Sequence, residues 1–412
     1  MATFDTALSG LQAASTSLQV LGNNISNANT VGFKSSNAQF ADAYASALAN
    51  TATTTGQIGI GTQVQQIAQQ FTQGNIQTTS NPLDVAINGN GFFKLDYNGS
   101  LVYSRNGQFN IDANGYVVDG AGGQVQGTLA SNGVLTGAQG ALQISQASLP
   151  PQATSGLGLS LNLSSASTPI SGAFNMNNAT SYNYSTSTTV YDSLGSPHLL
   201  TTYYQLASGA PGSPETWNVY FSANGTTGSG GITSGSLVTL NFTSTGTISG
   251  SAAGNTSSLV WADGAASSTI NVNYAGSTNY DAPSAVTSAT NNGYGPGQLS
   301  NLSIDPSGII FGRYSNGQSQ ILGQITLTSF PDNQGLQRIG NNYFVETYKS
   351  GPALTGSPGS SNLGVLQSGA VEQSNVDLSS QLVNLIVAQQ AYQANAQTIK
   401  TENQVVQTLL TL

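Results

Sequence analysis

The chain has no cysteine, which excludes disulfides, thiolate metal sites and thiol nucleophiles. Charge is almost as scarce. Charged residues fill 6% of the 412 positions, against about 25% in ordinary domains. Lys and Arg number 7, Asp and Glu 16, and the net charge is −9, so there is no basic footprint for nucleic acid. The single histidine, His198, follows Pro197 in a turn that begins at Asp192, where a solvated surface position is expected. Without a second histidine the Ser-His-Asp arrangements lack parts, and no Gly-x-Ser-x-Gly elbow occurs. No Gly-x-Gly-x-x-Gly follows a strand and there is no phosphate loop. Asp112–Gly115 and Asp332–Gly335 share a little with calcium loops but lack the ligand set, and are read as turns. Paired carboxylates for glycoside hydrolysis are not favoured by so few acidic residues, several of them at turns. No enzymatic activity, metal or cofactor is expected. No apolar run nears the 18 or so residues of a membrane helix, so no membrane insertion is expected. The N-terminus lacks the basic and apolar regions of a cleavable signal peptide.

What is abundant is patterning at the two ends. Leu378, Leu382, Leu385, Gln389, Tyr392, Ala396, Ile399, Asn403, Val406 and Leu410 are spaced alternately four and three apart. That is a heptad seam, the sign of a helix whose stripe meets another helix. Ser374 and Asp377 suit a capping box at its start, and the helix would be roughly 50 Å long. Phe4, Leu8, Leu11, Ser15, Leu18, Gly22 and Ile25 repeat the spacing. This first helix should stop near Gly22–Asn24, where Asn favours turns. The two helices are expected to pair. They form either an antiparallel clasp of the termini or an assembly interface, and the uncharged Gln, Asn, Ser, Thr and Ala of the other faces suit burial against copies. Within 376–412 only Asp377, Lys400 and Glu402 are charged.

The middle of the chain reads as β structure. Asn98-Gly99, Asn106-Gly107 and Asn114-Gly115 fall between alternating apolar residues, the strongest local hairpin signal. Asn110–Val118 has an echo in Ser303–Phe311, so one domain is expected in two segments. From Arg105 to Arg313 there is no Lys or Arg. Inside that gap Leu159/Leu161/Leu163, Leu200/Thr202/Tyr204/Leu206, Trp217/Val219/Phe221, Val238/Leu240/Phe242 and Ile270/Val272/Tyr274 alternate, which predicts an antiparallel sandwich or barrel. The fold class is multidomain: paired N- and C-terminal α-helices of coiled-coil type plus two mainly antiparallel β domains, the outer inserted into the inner. The expected parts are a helical core at 1–26 and 374–412, and a connecting region at 27–80 and 349–373. An inner β domain takes 81–147 and 286–348, and an outer one 148–285. Residues 49–61 read as a flexible loop, and 62–77 as extended.

Asn23–Lys34, with Asn375–Ser379, Leu382–Gln393 and Asn395–Thr401, closely resembles the two end motifs of the bacterial flagellar rod and hook axial proteins, and with the middle of the chain the hook members of that family. The resemblance implies a structural subunit that polymerises into a helical, bendable tube carrying motor torque to the filament. Its seams would be Phe4, Leu8, Leu11, Leu18, Ile25, Leu378, Leu382, Leu385, Tyr392, Ile399, Val406 and Leu410. Phe40–Tyr44 is similar to the motif that such substrates present to the export gate, with Phe40 and Tyr44 as its aromatics; on pattern alone the pair is one face of a helix. Implied partners are further copies of the chain, the distal rod protein, the hook cap protein, the hook–filament junction protein and the flagellar type III export apparatus. The implied location is outside the cell, in the flagellum, after export without cleavage. Two alternatives stand beside this: a distal rod protein of the same family, and a surface β-protein that grips carbohydrate.

Overall fold

The computed structural model describes residues 2–43, 61–145, 147–210, 213–224 and 238–410. They form two compact units: residues 1–146, 301–313 and 319–412, and residues 147–300 with 314–318. Tyr44, the loop residues 49–60 and the side chain of Leu410 lie outside the described residues.

In the first unit, helix α1 spans Ala2–Ser26 and helix α2 spans Leu378–Leu410. Asp377 caps α2 directly, its Oδ1 accepting the N–H groups of Ser379 and Ser380 at 3.0 and 3.3 Å. Ser374 takes no part in that cap and instead accepts from Val376 N. Helix α1 runs through the asparagines expected to end it. Asn24 is used as a tie: its Nδ2 donates to Ser36 O at 2.8 Å and its Oδ1 accepts from Ser36 N at 2.9 Å. Phe40 lies on a strand, Ser36–Ala43, and not on a helix. This strand pairs antiparallel with Gly61–Gln69; its alternating small and polar residues suit a backbone ladder better than a helical stripe. The hairpin leans on α1, where Ser9 Oγ accepts from Thr62 N at 3.2 Å.

The sheet of the first unit contains two of the three expected Asn-Gly hairpin turns. Asn98 and Gly99 both have positive φ, 53° and 80°, and join Phe92–Tyr97 to Ser100–Ser104. Asn114-Gly115 joins Phe109–Ile111 to Val117–Asp119. Asn106-Gly107 does not make a hairpin. Gly107 O accepts from Val85 N at 2.8 Å, and a Cβ there would sit 1.8 Å from Val85 O. The glycine serves a close crossing of two backbones. The echo between 110–118 and 303–311 is structural: Asp112 Oδ1 accepts from Tyr116 N at 2.8 Å and Asp305 Oδ1 from Ile309 N at 2.9 Å. Ser319–Ile325 pairs with Gln124–Ser131, so strands from both sides of the insertion share a sheet.

The second unit holds a five-stranded sheet of Tyr184–Tyr191, Pro197–Ser208, Glu215–Ala223, Val238–Phe242 and Ile248–Ser249. A four-stranded sheet joins Ala253–Asn255, Asn271–Asn273, Gly156–Asn162 and Ala285–Asn291. Because Ala285–Asn291 pairs with Gly156–Asn162, this unit extends to Ser300, beyond the 285 expected. Gly156–Gly158 pairs parallel with Asn271–Asn273, a departure from the antiparallel expectation. The alternating residues Leu159, Leu161, Leu200, Tyr204, Trp217, Val219, Leu240, Ile270 and Val272 from the two sheets form one apolar core.

Leu161→Ala is expected to cost about 2–5 kcal/mol. The chain's 2 tryptophans, Trp217 and Trp261, both lie in this core, so urea unfolding followed by tryptophan fluorescence reads this unit alone. An unchanged midpoint would mean that the sheets do not share a core.

Candidate assembly surface on the terminal helices

The helices run antiparallel. Asn24 Nδ2 near the end of α1 lies 3.1 Å from Gln381 Oε1 near the start of α2, and a Cβ on Gly10 would come 2.8 Å from the Asn395 amide. The pairing face of α1 is built from small residues. Ala7 and Ala14 are buried along this helix, and Ala388 is buried on α2. The seams read from the heptad spacing are not that face. Phe4 is 40% exposed, Leu382 45% and Val406 53%. Leu8, Leu378 and Tyr392 are also exposed. Leu11, Leu18, Ile25, Leu385 and Ile399 are half-buried. Side-chain size marks the seam in a heptad count, whereas a close helix pair is governed by how near two backbones can come. Val383, Ile386, Val387 and Val405 add further exposed apolar surface on α2, which the four-three spacing left out.

Two clefts border these faces. One, of about 470 Å³, opens between α1, the 36–69 hairpin and α2, lined by Ala13, Val20, Phe40 and Val387 among others. The other, of about 440 Å³, lies at the far end of the pair against Phe4, Val405 and Val406.

Behind the helices stands a buried ionic knot that the sequence did not reveal. Lys34 Nζ donates to Glu372 Oε1 at 2.6 Å, and Arg105 Nη1 to Glu372 Oε2 at 3.1 Å. Backbone groups add further hydrogen bonds: Lys34 Nζ to Thr72 O at 2.7 Å, Arg105 Nη2 to Gly89 O at 2.9 Å, and Gly74 N to Glu372 Oε1 at 2.8 Å; the buried Arg105 Nε has no partner. Burial pulls the Lys34 ammonium and the Arg105 guanidinium below their ordinary pKa values, against the opposing pull of Glu372. The Asn-rich motif before Lys34 shapes this knot. Gly32 has φ 71°, its N–H donates to Glu372 O at 2.7 Å, and a Cβ would lie 2.5 Å from Asn106 N. Only glycine meets both demands. The available signal was scarcity: in a chain this poor in cations, a Lys at the end of a shaped turn has a specific use.

The lone histidine is not solvated. Its side chain is 10% exposed, its Nε2 is 2.8 Å from Asp192 Oδ2, and its ring stacks on Trp261 at 4.1 Å. Asp112 and Asp332 both spend Oδ1 on backbone N–H groups of their own turns.

Four family descriptions match parts of the chain. Residues 4–34 match the "Flagella basal body rod protein" family and 86–158 the "Flagellar hook protein FlgE/F/G D1 domain". Residues 160–294 match the "Flagellar basal body protein FlaE D2 domain" and 367–412 the "Flagellar basal body rod FlgEFG protein C-terminal". The flagellar hook protein FlgE of Escherichia coli (strain K12) is 40% identical over 416 residues, spanning 99% of each chain. That of Borreliella burgdorferi is 31% identical over 445 residues and 98% of each. A crystal structure of the Helicobacter pylori flagellar hook protein FlgE2 superimposes with a TM-score of 0.54 at 16% identity, covering 72% of this chain and 100% of that one; it supports the fold.

Glu372→Ala leaves two buried cations unpaired and is expected to cost about 3–5 kcal/mol. Amide hydrogen exchange should quicken around 32–34, 72–78 and 370–373. Exchange at the parent rate in those segments would show that the knot does not hold them together.

Proposed function

The chain belongs to the flagellar hook protein family, and from that premise we propose that its terminal helices are the surface through which copies of it join into the hook. Its role is structural, in the bacterial flagellum. The observation that carries the proposal is the exposure of large apolar side chains along both helices, Phe4, Leu8, Leu382, Ile386 and Val406 among them. Each such residue gains roughly 1.5–3 kcal/mol when fully buried, and the pairing of α1 with α2 leaves that gain unused. Small residues hold the helices together inside one subunit, and large ones face outward to neighbours. Copies related by a rotation and a rise form a helix rather than a closed ring. The seam residues Leu11, Leu18, Ile25, Leu378, Leu385, Tyr392, Ile399 and Leu410 complete that surface.

In this reading the tube is bendable and transmits motor torque to the filament. The subunit meets the distal rod protein, the hook cap protein and the hook–filament junction protein at its boundaries. It reaches its place outside the cell through the flagellar export apparatus without cleavage. Phe40, on an exposed strand edge of the first cleft, serves the export gate together with Tyr44. Among the described residues no helix is long and apolar enough to cross a membrane.

Replacing Leu382 and Ile386 together by Asp should leave the monomer's circular dichroism unchanged and abolish salt-induced polymerisation seen by electron microscopy. Tubes forming at the parent rate would remove the helices from the interface. Phe40→Ala should lower secretion of the subunit several-fold without changing its cellular level; undiminished secretion would separate Phe40 from export.

A further inference from the structure

The second unit carries a cluster of metal-ligating side chains for which assembly has no use. Asp192, His198 and Asp263 bring one ligand atom each to within 4.8 Å of one another. They come from three pieces of chain: a turn, the strand that follows it, and the loop after Leu259.

Each donor is held in place from behind. Asp192 Oδ1 accepts the N–H groups of Leu194 and Ser196 at 2.8 and 3.0 Å, which fixes its carboxylate and turns Oδ2 toward His198. Asp119 makes the same turn with Ala121 and Gly123, and there Oδ2 accepts a neutral donor, the Tyr343 hydroxyl. At Asp192 the equivalent oxygen faces His198 Nε2 at 2.8 Å. The imidazole lies flat on Trp261, whose Nε1 donates to Ser268 Oγ at 3.1 Å. Asp263 Oδ1 accepts from Ala265 N at 3.1 Å, and Ala266 N donates to Ser193 Oγ at 2.8 Å, tying loop to turn. Ligands braced in this manner are characteristic of metal sites.

Charge points the same way. Asp192 is fully buried, and a second carboxylate, that of Asp263, brings an oxygen to within 4.8 Å. No Lys or Arg occurs in the sequence between Arg105 and Arg313.

We propose that Asp192, His198 and Asp263 form a binding site for a divalent cation of the zinc type, with one imidazole nitrogen and two carboxylate oxygens as ligands and water completing the shell. Nitrogen in the set favours zinc-like ions over calcium or magnesium. Two donors on a tetrahedral ion of this type stand about 3.4 Å apart. The hydrogen-bonded separation of His198 Nε2 and Asp192 Oδ2, 2.8 Å, therefore opens by about half an ångström as the ion replaces the shared proton. The bound ion clamps the 192–196 turn to the 259–268 loop.

The test uses untagged full-length protein, Zn²⁺ and Co²⁺. The single histidine gives one imidazole signal in long-range ¹H–¹⁵N spectra. Stoichiometric Zn²⁺ should shift it and raise the midpoint of thermal unfolding followed by tryptophan fluorescence; Co²⁺ should quench Trp261. Asp263 is exposed, so Asp263→Asn should fold normally and bind Zn²⁺ at least about tenfold more weakly, while Asp281→Asn in the same unit should bind as the parent does. An imidazole signal that titrates with pH but ignores millimolar Zn²⁺ would assign the cluster to a proton and overturn the proposal. Parental affinity in Asp263→Asn would overturn it equally.

Discussion

Glu372 is the carboxylate on which three distant stretches of this chain converge. Lys34 follows the first helix, Arg105 follows the strand Ser100–Ser104, and Glu372 precedes the last helix; all are buried. Taking such charges out of water is costly, and further hydrogen bonds to the buried groups offset part of that cost. Here the carbonyls of Thr72 and Gly89 and the amide of Gly74 supply them, while Arg105 Nε is left without a partner. An apolar contact would tolerate a slip of one residue, whereas a carboxylate gripped by two cations has one register. Both helix-bearing ends are thereby set against the same sheet, so the direction in which the helices leave it is defined before any neighbour arrives.

The helix pair then divides its residues by size. Ala7, Gly10, Ala14 and Ala388 lie along the close-packed faces, and Phe4, Leu8, Leu382, Val383, Ile386, Val387, Val405 and Val406 are exposed. A pair clasped through its large residues would satisfy itself and stay monomeric. A pair clasped through its small residues is held together and remains adhesive.

Much of this was legible in the order of residues. The strands of the second unit were visible because burial on one face imposes a period of two, and Leu159, Tyr204, Trp217 and Val272 all obey it. The helices were visible from their four-three spacing, but not which stripe would pair, since Ala and Gly carry no weight in an apolar count. Asn106-Gly107 has the same letters as the true hairpins, yet its glycine is needed for contact with Val85, a partner 22 positions away that local chemistry cannot report. His198 looked like a turn residue because the Asp192 turn beside it is real; its burial depends on Trp261, brought over by tertiary folding. Lys34, Arg105 and Glu372 are separated by up to 338 positions, and no local period links them. Phe40 fell on a strand because its ladder partner, Val64, lies across a long connection.

The 147–300 segment of the second unit closes on itself near its two ends: Leu149 bridges to Gly297 and Gln152 to Tyr294. Because those ends are stapled to one another, the entropy of closing what lies between them grows slowly with its length. What lies between them is in effect a cartridge. Evolution could enlarge, shrink or exchange it while the paired ends kept their geometry.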